Sequence, residues 1–322
     1  MNFTVSSSPH LAQGKTTQGI MGDVVIALMP AMAAAVAIFG PRTLVVTAVT
    51  IGVAVLTEYM CRSLMKRKQT VSDLSAVVTG LLLAFNLPVD IPLWMAAFGS
   101  IFAIMVVKQF FGGIGQNFVN PALAARIVLM ASFPGVMSKW AAPLAWKTTA
   151  EAVTTASPLS LLPSMLSDAP KALPSLWDMF LGLHAGSMGE VSGLALLLGG
   201  LYLVCRKIIS PIIPVCFIGT VAVFMLAYSG FDTTFTMYQM LSGGLLLGAI
   251  FMATDYATSP LTLKGKAIFA IGCGIITSVI RLFGSLPEGV SFSIILMNLL
   301  VPHIERLTAP KPFGWEAAQN GK

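Results

Sequence analysis

TGLLLAFNLP, Thr79 to Pro88, decides the fold, because it returns in the second half of the chain as GGLLLGA, Gly243 to Ala249, followed by FMATDYATSP, Phe251 to Pro260. In both places an apolar run is cut short by a proline-containing break. A second pair follows each of them: FGSIFAIMVVKQFFGG, Phe98 to Gly113, parallels IGCGIITSVIRLFGS, Ile271 to Ser285. The alternative is a chance likeness between Leu-, Gly- and Ala-rich helices. Taken as a repeat, each half holds five apolar segments, and an odd number of crossings inserts the two halves upside down relative to each other.

Working outward, the apolar runs predict crossings at 23–39, 42–62, 72–87, 92–110, 121–134, 191–205, 211–229, 240–253, 266–283 and 291–307. The chain is 56% hydrophobic and 10% charged over 322 residues, less than half the charge share of a soluble domain, so it cannot solvate its own surface in water. The expected fold is an all-α polytopic membrane protein of about ten transmembrane helices in a five-plus-five inverted repeat. Segments 121–134 and 240–253 are short for a full span and read as broken helices whose irregular backbone is buried in protein. The expected divisions are residues 1–134 (tail and first repeat), 135–190 (an extramembrane loop), 191–308 (second repeat) and 309–322 (a tail).

Charge placement gives an orientation. With the N-terminus inside, Lys15, Arg62, Lys66, Arg67, Lys68, Lys108, Arg206, Lys207, Lys264, Lys266, Arg306, Lys311 and Lys322 fall in cytoplasmic segments, and both termini are cytoplasmic. Arg42, Lys139, Lys147, Lys171 and Arg281 fall outside, three of them in the long 135–190 loop, where the rule relaxes. The polar lead Met1 to Gln18 lacks a basic n-region and a cleavage site, and reads as a tail rather than a removable signal peptide. The formal charge of +6 implies no nucleic-acid partner in such a chain. Cys61, Cys205, Cys216 and Cys273 have no C-x-x-C spacing, and His10, His184 and His303 have no metal-ligand spacing, so no metal site is expected.

Three stretches carry chemistry. GGIGQNFVNPALAAR, Gly112 to Arg126, offers glycines suited to positive φ or close backbone approach. Asn117 and Asn120 supply amide groups before Pro121, which suits the first turn of a helix. The stretch describes a cytoplasm-facing pocket for a polar planar ligand read by Gly113, Gly115, Gln116, Asn117 and Asn120, or a re-entrant turn that satisfies only its own backbone. EAVTTASPLS, Glu151 to Ser160, is a hydroxyl-rich run that either presents an acceptor hydroxyl among small neighbours or is plain solvated loop. FMATDYATSPLT, Phe251 to Thr262, holds Asp255. Intramembrane carboxylates default to functional readings, so Asp255 and Asp23 are candidates for ion or proton handling. The competing readings are that Asp255 caps a half-helix and Asp23 sits at the membrane boundary. Glu58 and Asp73 read as surface partners of the basic Arg62 to Lys68 loop.

Together the three stretches resemble the D subunit of the Rnf electron-transport complex and the related B subunit of the sodium-pumping NADH:quinone reductase, over essentially the whole chain. The length of 322 residues favours the Rnf member over its longer relative. In that family a flavin transferase joins FMN through its phosphate to a Thr or Ser hydroxyl in a pattern like D-x-x-[S/T]-G-A-[T/S]. The resemblance places Glu151 at the acidic position, Thr154 at the hydroxyl position, Ala156 at the small position and Ser157 at the acceptor. Glu stands for the usual Asp, Thr155 for Gly and Ser for the commoner Thr, which leaves Thr155 and Thr154 as fallback acceptors. It further implies a non-covalent riboflavin nearer the cytoplasm, in the pocket of Asn117 and Asn120. Its other implications are partnership with the A, B, C, E and G subunits of Rnf and with the transferase, and a home in a prokaryotic cytoplasmic membrane with loop 135–190 outside. The implied role is that of one translocase component without a complete active site of its own, coupling ferredoxin:NAD electron transfer to sodium or proton transport. The competing class is a stand-alone channel or transporter, which inverted repeats also serve.

Overall fold

The computed structural model describes residues 16–147, 154–162, 173–190, 192–284 and 288–310. The first half runs α1 (Thr17–Phe39), α2 (Arg42–Leu64), α3 (Ser75–Phe85), α4 (Leu93–Ile101, continued as a π-helix over Phe102–Gln109) and α5 (Pro121–Ser132). The connection holds α6 (Pro134–Met137), strands β1 (Trp140–Ala141) and β2 (Thr154–Thr155), α7 (Pro158–Leu161) and α8 (Leu176–Leu181). The second half runs α9 (Gly193–Cys205), α10 (Ile212–Tyr228), α11 (Thr233–Leu241), α12 (Leu245–Leu247, continued as a π-helix over Gly248–Met252), α13 (Leu263–Phe283) and α14 (Val290–Thr308).

Four of these helices, α1, α2, α13 and α14, are long and apolar enough to cross a membrane alone. The bent pair α11 and α12 is long and apolar enough only as a pair, as a broken span or a re-entrant loop, and shorter apolar helices in the remaining positions complete five segments in each half. This is a multi-pass, all-α membrane protein. The predicted 240–253 segment is corrected: it starts at Thr233 and bends by 64° between α11 and α12. Ser242, Gly243 and Gly244 make the break, with Gly243 at φ +67°, a conformation a β-carbon resists.

Ile26 and Met29 on α1, Leu44 and Leu56 on α2, Leu198 and Leu201 on α9, Val223 on α10 and Leu299 on α14 face outward. Glu58, Lys108, Arg126, Glu190, Arg281 and Glu288 are buried. Large apolar side chains outside and ionisable ones inside is the arrangement that a lipid solvent selects.

Contacts follow the repeat. Helix α2 packs on α3 and α4, and α10 packs on α11 and α13. Across the halves, first helix meets first (α1 on α9) and fifth meets fifth (α5 on α14). The α1–α9 seam is close because Gly199 lies against the backbone of α1: a β-carbon there would overlap the Ala27 carbonyl oxygen. Small residues let helices approach in lipid, where packing rather than hydrophobic expulsion drives association.

One end of the bundle, the tail end, gathers the starts of α1, α10 and α13 and the ends of α2, α9 and α14. The other, the loop end, carries the connection between the halves. Residues 184–190 of that connection are buried and belong to the bundle rather than to a cap standing wholly outside it. Their backbone answers the broken end of α3: the Gly189 N–H donates to Phe85 O at 2.9 Å and the Met188 N–H to Leu87 O at 3.1 Å. Carbonyls freed where a helix stops at membrane depth must find such partners.

Candidate functional site

At the loop end, two anchors fix Ser157. Upstream, β2 pairs antiparallel with β1, matching Trp140 with Thr155 and Ala141 with Thr154. Downstream, Pro158 opens α7, and Leu159 and Leu162 are buried in the core. Between them Ser157 is extended (φ −66°, ψ 148°), half-buried, and its hydroxyl makes no cap hydrogen bond to α7. It lines a cavity of about 280 Å³ together with Trp140, Met130, Arg126, Glu190 and Glu288. Thr155 and Ala156 are exposed, and Glu151 lies outside the described residues. A hydroxyl that caps no helix, at the edge of a cavity close to the ~300 Å³ at which small-molecule sites begin, fits a tethered planar group.

The floor of this cavity is a buried charge cluster that the sequence reading missed. Arg126 of α5 pairs with Glu288, in the connection between α13 and α14, and donates to Asn86 Oδ1 at 2.5 Å. Arg281 of α13 donates to Gln239 O at 2.5 Å and to Ser242 O at 3.0 Å, capping the broken end of α11. Glu190 accepts from the Ser187 N–H at 3.0 Å through Oε1, while its Oε2 is buried without a partner among the described residues. Burial raises the Glu288 carboxyl from its ordinary value; Arg126 and Arg281 oppose this, and the charge of Glu190 adds to it. The cluster therefore ties the breaks of both halves, Asn86 in the first and Ser242 to Gly244 in the second. No spacing in the sequence signals it, because its members come from four separate stretches.

At the tail end the structure brings the first and third chemical stretches together. Gly115, Asn117, Asn120, Thr254 and Asp255 line one pocket with Ser75 and Lys108. Gly112, Gly113 and Gly115 have φ of +126°, +106° and +80°, and Asn120 caps α5 by accepting from Ala122 N and Leu123 N, with Pro121 in the first turn. Asn120 also donates to Met252 O at 3.3 Å, joining the two halves. Gln116 is exposed and Gly113 is backed by the Arg62 guanidinium, and neither lines the pocket. The pocket has a volume of about 100 Å³.

The carboxylates also settle. Asp255 caps no helix: it closes a turn, accepting from Ala257 N at 3.4 Å and Thr258 Oγ1 at 3.2 Å, while Thr262 caps α13. Asp23 lies in the second turn of α1, where it pairs with Arg206 at 3.2 Å and accepts from the Tyr202 hydroxyl at 2.8 Å, a tie between α1 and α9. Glu58, expected at the surface, is fully buried and pairs with Lys108 at 2.9 Å and Arg62 at 3.8 Å. Asp73 accepts from the Ser75 N–H at 2.8 Å, and Ser75 in turn accepts from Lys108 at 2.6 Å.

Residues 4–314 match the model of the NQR2, RnfD, RnfE family. The chain is 50% identical over 316 residues to the D subunit of the Na(+)-translocating ferredoxin:NAD(+) oxidoreductase complex of Acetobacterium woodii, covering 98% of this chain and 96% of that one. It is 45% identical over 320 residues to the D subunit of the proton-translocating ferredoxin:NAD(+) oxidoreductase complex of Clostridium ljungdahlii, covering 97% and 96%. Against the D subunit of the ion-translocating oxidoreductase complex of Stutzerimonas stutzeri the figures are 38% over 326 residues, with 92% of each chain covered. The two nearer of these relatives are named for different ions, so similarity at this level does not choose between sodium and proton.

Proposed function

The chain belongs to the NQR2, RnfD, RnfE family, and from that premise we propose that it is the D subunit of an ion-translocating ferredoxin:NAD oxidoreductase, carrying FMN on Ser157. The observation that carries the flavin reading is the position of Ser157, whose uncapped hydroxyl lines the loop-end cavity beside Trp140. Bound there, FMN supplies one- and two-electron chemistry. The chain's own residues do the rest: Pro158, Leu159 and Leu162 hold the attachment segment against the bundle, and Trp140 offers an aromatic wall.

The loop end faces the outer compartment in this reading, because Arg62 to Lys68, Arg206, Lys207, Lys264, Lys266 and Arg306 gather at the tail end. The protein would sit in a prokaryotic cytoplasmic membrane among the A, B, C, E and G subunits of Rnf, which supply the ferredoxin and nicotinamide sites. The chain has neither a cysteine cluster nor a G-x-G-x-x-G following a strand. Maturation needs a flavin transferase acting on the loop end.

Co-expression with a flavin transferase, followed by denaturing electrophoresis and ultraviolet excitation, tests the reading. A fluorescent band is expected, with an FMN-sized adduct on the Glu151 to Leu162 peptide. Ser157→Ala should abolish both, while Thr154→Ala and Thr155→Ala keep them. A dark wild-type band would overturn the flavin role and favour the stand-alone transporter class. Reporter fusions that place 135–190 in the cytoplasm would overturn the orientation.

A further inference from the structure

We propose that Glu190 and Glu288 together bind one exchangeable monovalent cation, a proton or a sodium ion, reached through the loop-end cavity. This rests on the ion-translocating reading above and assigns that role to residues outside the three stretches singled out in the sequence.

The geometry is that of two carboxylates converging on a helix break. The position a Gly244 β-carbon would occupy lies 2.6 Å from Glu288 Oε1, 3.5 Å from Glu190 Oε2 and 3.4 Å from Arg126 Nη1. The two oxygens are therefore at most about 6 Å apart, a range at which two like charges do not both stay uncompensated in a buried site. Gly244 leaves the space between them open, and its own N–H donates to Glu288 Oε1 at 3.3 Å. Both carboxylates line the cavity, so the pair has a path to the loop end.

The direct partners of each charged group leave one position for a single cation. The charged groups facing the pair are Arg126 from α5 and Arg281 from α13; α3, α11 and the break contribute the neutral Asn86, Gln239 and Ser242. Arg126 is committed to Glu288. Arg281 makes no ion pair within 4 Å among the described residues, and its Nη groups are spent on Gln239 and Ser242, the carbonyl end of α11, where a helix carries partial negative charge. Glu190 is left with one donor, the Ser187 N–H, and an unpartnered Oε2, although the residue is only 6% exposed. Arg281 acts on both carboxylates only at longer range, so Glu190 Oε2 stays buried without a direct partner, and a cation bound by Glu190 Oε2 and Glu288 Oε1 supplies one. His184, on the same segment as Glu190, turns its Nδ1 to Ala185 O.

Such a site lies where the broken segments of both halves meet, so cation binding there alters the charge that Arg126 and Arg281 feel. Those two guanidinium groups hold the α3 and α11 ends.

Labelling of the detergent-purified complex with a hydrophobic carbodiimide, which modifies protonated buried carboxyl groups, tests the proposal when mapped by peptide mass spectrometry. Glu190 should be labelled, and the label should fall about tenfold once the competing ion exceeds its dissociation constant tenfold. Loss of label on adding sodium chloride, with choline chloride inert, identifies sodium. Loss on raising pH with sodium chloride inert identifies the proton. In proteoliposomes, Glu190→Gln should lower the ions moved per NADH formed, and Gly244→Ala, which drives a β-carbon onto Glu288 and fills the space between the two carboxylates, should do the same. Absence of label on Glu190 at every pH and sodium level overturns the proposal, as does a wild-type ion-to-electron ratio in Glu190→Gln. Repeating the labelling in Ser157→Ala keeps the outcome separate from the flavin reading, since the carboxylate pair is intact there.

Discussion

Replacing Arg126 by Met tests whether the loop-end cluster holds the two halves together. Arg126 is 2% exposed, pairs with Glu288 and donates to Asn86 at the end of α3. Removing one member of a buried ion pair costs about 3–5 kcal/mol, because the remaining charge stays buried without compensation. The hydrogen bond to Asn86 overlaps that figure rather than adding to it in full. With roughly 2–4 °C per kcal/mol for chains of this size class, the unfolding midpoint should drop by roughly 10 °C. The double variant Arg126→Met with Glu288→Met removes both charges and leaves Glu190 and Arg281 in balance. It should recover about half of the loss, a coupling of roughly 2 kcal/mol. Intrinsic tryptophan fluorescence of the detergent-purified chain, followed on heating, reads both. A midpoint within about 2 °C of wild type for the single variant, or a double variant as damaged as the sum of the two singles, would show that the pair does not bridge the halves.

Gly199→Ala should destabilise the chain by about 1–3 kcal/mol, because its β-carbon overlaps the Ala27 carbonyl at the α1–α9 seam. Gly52→Ala, which meets nothing within 4 Å on α2, should stay within about 0.5 kcal/mol of wild type or gain slightly, and the same melting assay separates the two. Asn120→Ala removes the cap of α5 and the bond to Met252 O, so the midpoint should fall by an amount equivalent to about 1–2 kcal/mol. Asn120→Asp, which keeps the capping acceptor and loses the amide donor, should recover part of that loss.

Much of the architecture was legible from the chain. Apolar runs broken by Pro, Gly and basic residues marked the crossings, since a span needs a fixed length of apolar sequence whatever its neighbours are. Asn120 before Pro121, and glycines at positions 112, 113 and 115, announced a helix start and a left-handed turn, because those are local backbone demands. Ser157 was legible only through the family resemblance; the structure adds that β2 and α7 set its hydroxyl at a cavity. That Gln116 and Gly113 lie off the pocket lined by Asn117 and Asn120 was not legible, because one-dimensional spacing says nothing about which way a loop faces.

What lay beyond the sequence was every feature that needs two distant stretches to meet. Glu58 looked like a loop partner and is buried on Lys108, fifty residues away. Glu190 and Glu288 sit in connections that read as extramembrane, yet they close on Arg126 beneath the cavity. The sequence by itself determined the apolar runs and the local helix starts and turns, because those properties depend on residues within one turn or one span. Only the tertiary structure decided which charges share the interior, because a buried ion is tolerated solely by the partner that packing brings to it.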